Sequence, residues 1–137
     1  MKMTVKYDPE ESEKQYILDN LIASNKENGM PLKTDCWVFA YDAAEDMIGG
    51  CQFYLFPTVM WVNMLWIKPD YQKKGIGKKL LQQAEEEAKS RNCALSFLDT
   101  FEFQHALGFY ENCGYHILTT VDTMAGNDKR YFLSKAL

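Results

Sequence analysis

The sequence predicts a mixed α/β domain (α+β, mixed sheet), in which an antiparallel meander feeds a parallel β-α-β crossover and further strands close the chain. Three observations predict it. Between Cys36 and Ile67 lie three stretches rich in β-branched and aromatic residues, separated by short turns. The period then lengthens, and Ile76, Leu80, Leu81, Ala84 and Ala88 line one side of a helix running to about Arg91. A short apolar run, Ala94 to Leu98, follows, and strand, helix and strand of this length imply a right-handed parallel crossover.

The elements follow in order. Residues 3–7 alternate like a short strand, and Tyr16, Ile17, Leu21 and Ile22 give helical spacing from Glu10 to about Ala23. Ser24 to Thr34, with Gly29 and Pro31, reads as a loop with room for a short second helix. The meander strands are 36–41, 47–56 and 60–67, turning at the acidic stretch Asp42 to Asp46 and at Pro57-Thr58. Pro69 and Asp70 end the third. In the long helix, Gln82 and Glu85 to Glu87 read as lying largely off the apolar stripe. His105 to Asn112 reads as a helix stopped by Gly114. Tyr115 to Val121 and Arg130 to Leu133 alternate as two last strands around the turn Ala125-Gly126-Asn127-Asp128. One helix is expected on each face of the sheet.

At 137 residues, 1–137 is expected to be a single domain without internal repeats. A net charge of −4 argues against nucleic acid as the main partner. Cys36, Cys51, Cys93 and Cys113 stand far apart with no short Cys/His cluster, so no metal site is expected. With no signal-peptide pattern and no membrane-length apolar run, a cytoplasmic protein with reduced thiols is the expectation, without membrane partners.

Chemistry concentrates where the third strand runs into the long helix, from Leu65 through Lys78. The first amides of a helix lack intrahelical partners, and the helix dipole adds partial positive charge there. Gly75 and Gly77 let a ligand approach the backbone, and Lys73, Lys74, Lys78 and Lys79 surround the spot with positive charge. That combination suits a phosphate or pyrophosphate. The plainer reading is a glycine turn beside a solvated lysine face. A dinucleotide fingerprint fits less well, because G-x-G-x-x-G after a first strand is absent.

Gln72-Lys73-Lys74-Gly75-Ile76-Gly77 resembles the Q/R-x-x-G-x-G/A loop of the GNAT superfamily of N-acetyltransferases. Phe109-Tyr110-Glu111-Asn112-Cys113-Gly114-Tyr115 is similar to that superfamily's F-Y-E-x-x-G-F/Y signature. Leu98-Asp99-Thr100-Phe101-Glu102-Phe103-Gln104 further resembles the L-D-T-F-x-F-Q run of a small bacterial-type subgroup. The element order resembles the GNAT fold along nearly the whole chain.

The resemblance implies an acetyl-CoA-dependent N-acetyltransferase acting on a primary amine, most simply of a small molecule, through a ternary complex. Amides of Lys73, Lys74, Gly75, Ile76, Gly77 and Lys78 would hold the CoA pyrophosphate. The edge of Leu65, Trp66 and Ile67 would pair with the pantetheine arm, in a slot where that strand and Ala94–Leu98 splay apart. Tyr110 would sit beside the thioester sulfur and protonate the departing thiolate, while a backbone N–H stabilises the oxyanion. Cys113 reads as incidental. Two departures from the family pattern stand out. The third strand, on which many relatives carry a glutamate base, holds no carboxylate, and its Asn63 could orient a water but cannot take a proton; that leaves Asp99, Glu102 and His105 as the titratable candidates, and His105 reads as a helix N-terminal position without a role. Phe103 replaces a CoA-contacting asparagine, with Gln104 beside it as a substitute. The expected catalytic set is therefore Tyr110, Asp99 and Glu102. A homodimer pairing its final strands, and a CoA-binding sensor without turnover, are alternatives from other classes.

Overall fold

Residues 1–29, 33–123 and 128–137 are described by a computed structural model of the chain. They fall into two units, Met1–Leu32 and Lys33–Leu137.

In the first unit, helix α1 spans Glu11–Glu27, four residues past the expected end. The Glu10 amide donates to the Glu13 carboxylate at 3.0 Å, satisfying one orphan donor at the helix start. Lys6 pairs with the same carboxylate and holds it below the usual range. Residues 3–7 form no strand. Alternation makes a strand only where a neighbour supplies a ladder, and none of the described residues does so. Of the expected loop at 24–34, Met30 to Leu32 lie outside the described residues.

The second unit holds one six-stranded sheet in the order β1-β2-β3-β4-β6-β5. Strands β1 (Thr34–Tyr41), β2 (Met47–Leu55) and β3 (Val59–Ile67) form the antiparallel meander. Helix α2 (Ile76–Ser90) then crosses over to β4 (Leu95–Phe101), which runs parallel to β3. The short helix α3 (Leu107–Asn112) leads to β5 (His116–Asp122) and β6 (Lys129–Ala136), the latter antiparallel to both β4 and β5. Of the expected final turn, Ala125 to Asn127 lie outside the described residues. No described helix is long and apolar enough to cross a membrane.

Alternation decides which side chains are buried. Cys51, Phe53 and Leu55 of β2, Met60 and Val62 of β3, Leu98 of β4 and Leu133 of β6 point the same way. They meet Leu80, Leu81, Ala84 and Ala88 of α2, the stripe seen in the sequence. Each fully buried leucine there contributes about 1.5–3 kcal/mol. Tyr110 of α3 joins the same core, so within this unit both helices lie on one face instead of one on each.

Glu85 does not lie off the stripe. It is 4% exposed, its carboxylate accepts from Lys135 at 2.8 Å and from the Tyr115 hydroxyl at 3.1 Å, and Ser96 bonds Tyr115 at 2.7 Å. A carboxylate can be buried only when charge and hydrogen bonds replace its water. The network ties α2 to β4 and β6 beside the end of the β3–β4 ladder.

Lys135→Met should strand that carboxylate and cost about 3–5 kcal/mol in urea unfolding, while Glu85→Leu with Lys135→Met should recover most of the loss. Equal destabilisation by both would contradict a paired, desolvated network. Burial also pushes the Cys51 thiol up to about 12 and raises the Tyr110 and Tyr115 hydroxyls above their ordinary 10.0. All three bind protons more tightly folded than unfolded, so their contribution is intact at neutral pH and is lost as pH rises past about 9. Melting temperature should accordingly fall steadily above that pH.

Candidate active site

The β3–β4 ladder is short. Pairing runs Val59–Leu95, Met60–Ser96 and Trp61–Phe97, and stops there although both strands continue. Just beyond, β3 carries a β-bulge: Phe53 pairs with Val62 and Gln52 with Met64, which leaves Asn63 as the extra residue. A bulge bends and over-twists its strand. Here β3 follows β2 while β4 follows β6 over its whole length, so the two strands part.

The chain after β3 is anchored at several points. Lys68 donates its amide to Ile48 at 2.8 Å, and Pro69–Tyr71 form a 3-10 turn. Gln72 donates its side chain back to the Ile67 carbonyl at 3.0 Å. The Tyr71 hydroxyl donates to Asp42 at 2.9 Å in the β1–β2 turn. Asp42 is held below the usual carboxylate range, chiefly by the Asp46 amide. Lys73 (φ 59) and Gly75 (φ 81) take left-handed conformations that swing the chain into α2. The first helical bond, Lys79 N–H to Gly75 carbonyl at 3.1 Å, leaves the amides of Ile76, Gly77 and Lys78 without intrahelical partners. A Cβ at Gly77 would meet the Phe109 ring at 3.3 Å, so glycine lets α3 pack against the start of α2.

These elements enclose a cavity of about 560 Å³, lined by β3 (Leu65, Trp66, Ile67), the loop and helix start (Lys73, Gly75, Gly77, Lys78) and Tyr110. Lys74 and Ile76 are not in its lining: the Lys74 ammonium lies 5.2 Å over the Tyr71 ring, and Ile76 packs against the core. Tyr110 is 8% exposed, and burial, with smaller effects from Cys51, Cys113 and Asp99, keeps its hydroxyl protonated well above neutral pH. Among the described residues no group hydrogen-bonds that hydroxyl. Cys113 lines the cavity too, with its thiol raised by burial and so kept in the unreactive form.

Asp99, Glu102 and Gln104 are not brought to the cavity wall. Asp99 lies within β4, longer than expected, and pairs with Arg130 at 2.7 Å. Glu102 accepts the Lys129 amide at 3.2 Å. Gln104 accepts from the Phe101 amide at 2.8 Å and the Thr100 hydroxyl at 3.1 Å, bracing the 3-10 turn Glu102–Gln104. His105 is not helical as expected. It stands at φ 52 ahead of α3 and lines the cavity, as do Phe109 and Asn112. The sequence offers His105 only as a titratable candidate set aside as a helix start, whereas Phe109 and Asn112 lie inside the quoted signature.

Residues 4–115 match the Acetyltransferase (GNAT) family. The chain belongs to that family. It is 29% identical over 120 residues to an acetyltransferase of Agrobacterium fabrum, covering 87% of each chain. A crystal structure assigned as an acetyltransferase from Agrobacterium tumefaciens superimposes over 100% of both chains with TM-score 0.89 at 25% identity. An aminoglycoside 6'-N-acetyltransferase complexed with coenzyme A shares the fold at TM-score 0.66 and 19% identity, over 99% of this chain and 97% of that one. The mixed sheet with its parallel β3–β4 pair is the GNAT fold.

Gly77→Val would press on Phe109 and fill the cradle at the helix start. We expect it to weaken acetyl-CoA binding by about tenfold or more in calorimetry, a difference of about 1.4 kcal/mol. Lys89→Ala, in the exposed last turn of the same helix, should leave the affinity unchanged.

Proposed function

We propose that this GNAT acetyltransferase moves the acetyl group of acetyl-CoA to the primary amine of a small molecule, with both substrates bound together. One observation carries the reading. A single cavity joins the free edge of a strand, the unpartnered amides of a helix start and a buried tyrosine hydroxyl.

The residues fit the cofactor's parts. Amides of Ile76, Gly77 and Lys78, with those of Lys73 to Gly75, suit the pyrophosphate, and the Lys73 and Lys78 side chains add charge. Leu65, Trp66 and Ile67 offer the pantetheine amides a strand edge, as strand addition does elsewhere. Coenzyme A in a relative of this fold is in keeping with that assignment. Acetyl-CoA supplies an activated acyl group with a thiolate leaving group.

The protein's share is positioning and proton handling. Tyr110 faces the cavity with its proton retained and hands it to the departing sulfur. Asp99, on the far side of the strand gap, is the carboxylate we propose to take the amine's proton, with Arg130 fixing its orientation. Glu102 and Gln104 act through the loop they brace, not on the substrates. The absence of a carboxylate on β3 favours a sensor without turnover as the second reading, and release of free CoA separates the two.

Tyr110→Phe should lower kcat by about 100-fold or more, the usual worth of a placed general acid, with the acetyl-CoA affinity little changed. Because its hydroxyl is raised by burial, the wild-type rate should show no loss from Tyr110 ionisation up to about pH 10. An unaltered kcat in the phenylalanine variant would remove Tyr110 from the chemistry.

A further inference from the structure

The sheet's other face has a chemistry unlike the core's. Cys36, Val38 and Ala40 pack inward, so alternation turns Asp35, Trp37 and Phe39 of β1 outward. Across β2 they pair with Tyr54, Gln52 and Gly50. Trp66 and the bulged Asn63 carry this face to the gap between β3 and β4. Packing within Lys33–Leu137 leaves large rings uncovered: Trp37 keeps at least 48% of its surface and Trp66 at least 57%.

Trp37 and Phe39 stack with centroids 5.7 Å apart and planes 9° from parallel. A Cβ at Gly50 would meet the Phe39 ring at 3.3 Å, so the glycine leaves room for that ring against β2. Aromatic faces attract cations. On this side of the sheet the protein's own cations already use them. Lys33 sits 4.0 Å over Tyr54, and the Arg130 guanidinium lies 5.0 Å from Phe101 and 5.1 Å from Phe132. Among the described residues of Lys33–Leu137 no cation covers Trp37, Phe39 or Trp66.

Beside the stacked pair runs a fixed polar chain. Asn63 Nδ2 donates to Gln52 Oε1 at 2.5 Å, and Gln52 Nε2 donates to Asp35 Oδ1 at 2.9 Å. Gln52 is 4% exposed, so the chain is held in one arrangement. Its hydrogens all point towards Asp35, and on the exposed Asn63 and Asp35 this leaves Asn63 Oδ1 and the second Asp35 oxygen as uncommitted acceptors. Among the described residues of Lys33–Leu137 Asp35 has no ion-pair partner. Acceptors and a negative charge along a stacked ring pair match a flat cation bearing several N–H groups, as guanidinium does.

We infer that the acceptor carries, beside its reacting amine, a planar N–H-rich cation that stacks on Trp37 on the side away from Phe39 and donates to Asp35 and Asn63. The class is guanidino amines and amino-substituted heterocyclic amines. This rests on the acetyltransferase reading above and names its acceptor. In the reaction the amine nitrogen forms the amide bond, the thioester C–S bond breaks, and the proton lost from nitrogen leaves with CoA as its thiol.

Three probes with the same four-carbon spacer separate the possibilities: agmatine, butane-1,4-diamine and 4-phenylbutylamine. We expect CoA release with agmatine at a kcat/KM about tenfold or more above either other amine, the range of one charge-assisted contact. Asp35→Asn and Trp37→Ala should each remove that preference while leaving the acetyl-CoA Kd and the circular dichroism spectrum unchanged. The inference is overturned if the diamine or the phenyl amine equals agmatine, or if Asp35→Asn keeps the preference. Acetyl-CoA binding without turnover of any of the three would also overturn it and leave the cofactor site standing. Failure to bind acetyl-CoA at all would instead bring down the reading beneath it.

Discussion

A β-sheet is stable because each strand's amides and carbonyls find partners on its neighbours, and this sheet gives that up along one seam. Past Trp61 and Phe97 the ladder between β3 and β4 ends, although each strand keeps its other neighbour. Unpaired backbone beside a core is costly unless something else bonds it. We propose that an extended ligand with amide groups answers that need, the interruption then serving as its binding edge and as the path by which a reacting group reaches the far face. The bulge at Asn63 is the local device that opens it.

The surroundings hold the gap in shape. On one side Glu85, Tyr115, Lys135 and Ser96 lock β4 and β6 to α2. On the other, Gln72 and Tyr71 fasten the loop after β3 to the strand end and to the β1–β2 turn. The helix start thus stands at the mouth of the gap with free amides, and α3 closes against it because Gly77 carries no side chain. In a protein of net charge −4, local positive character comes from backbone geometry as much as from lysines.

Much of this was legible in the residues. Period changes located the meander and α2, since apolar faces there are broad and uninterrupted. The glycine loop before α2 was readable from the residues themselves, and the parting of the strands followed from a resemblance in two short motifs. Other features had no local sign. Asn63 looks like any strand residue, because a bulge is a property of the pairing and not of one strand. Glu85 reads as surface until Lys135, fifty positions on, is folded against it. The β4 strand runs on through Asp99 to Phe101 because β6 supplies a ladder along its whole length, Asp99 pairing with Phe132 and Phe101 with Arg130. His105 takes a left-handed conformation that only the neighbouring 3-10 turn explains.

Residue-resolved amide hydrogen exchange, with and without acetyl-CoA, tests the strand gap most directly. The account predicts slowed exchange at Leu65 and Ile67, whose amides face away from β2, together with Ile76 to Lys78, and little change along β5. Tight acetyl-CoA binding that left those amides exchanging as before would contradict it.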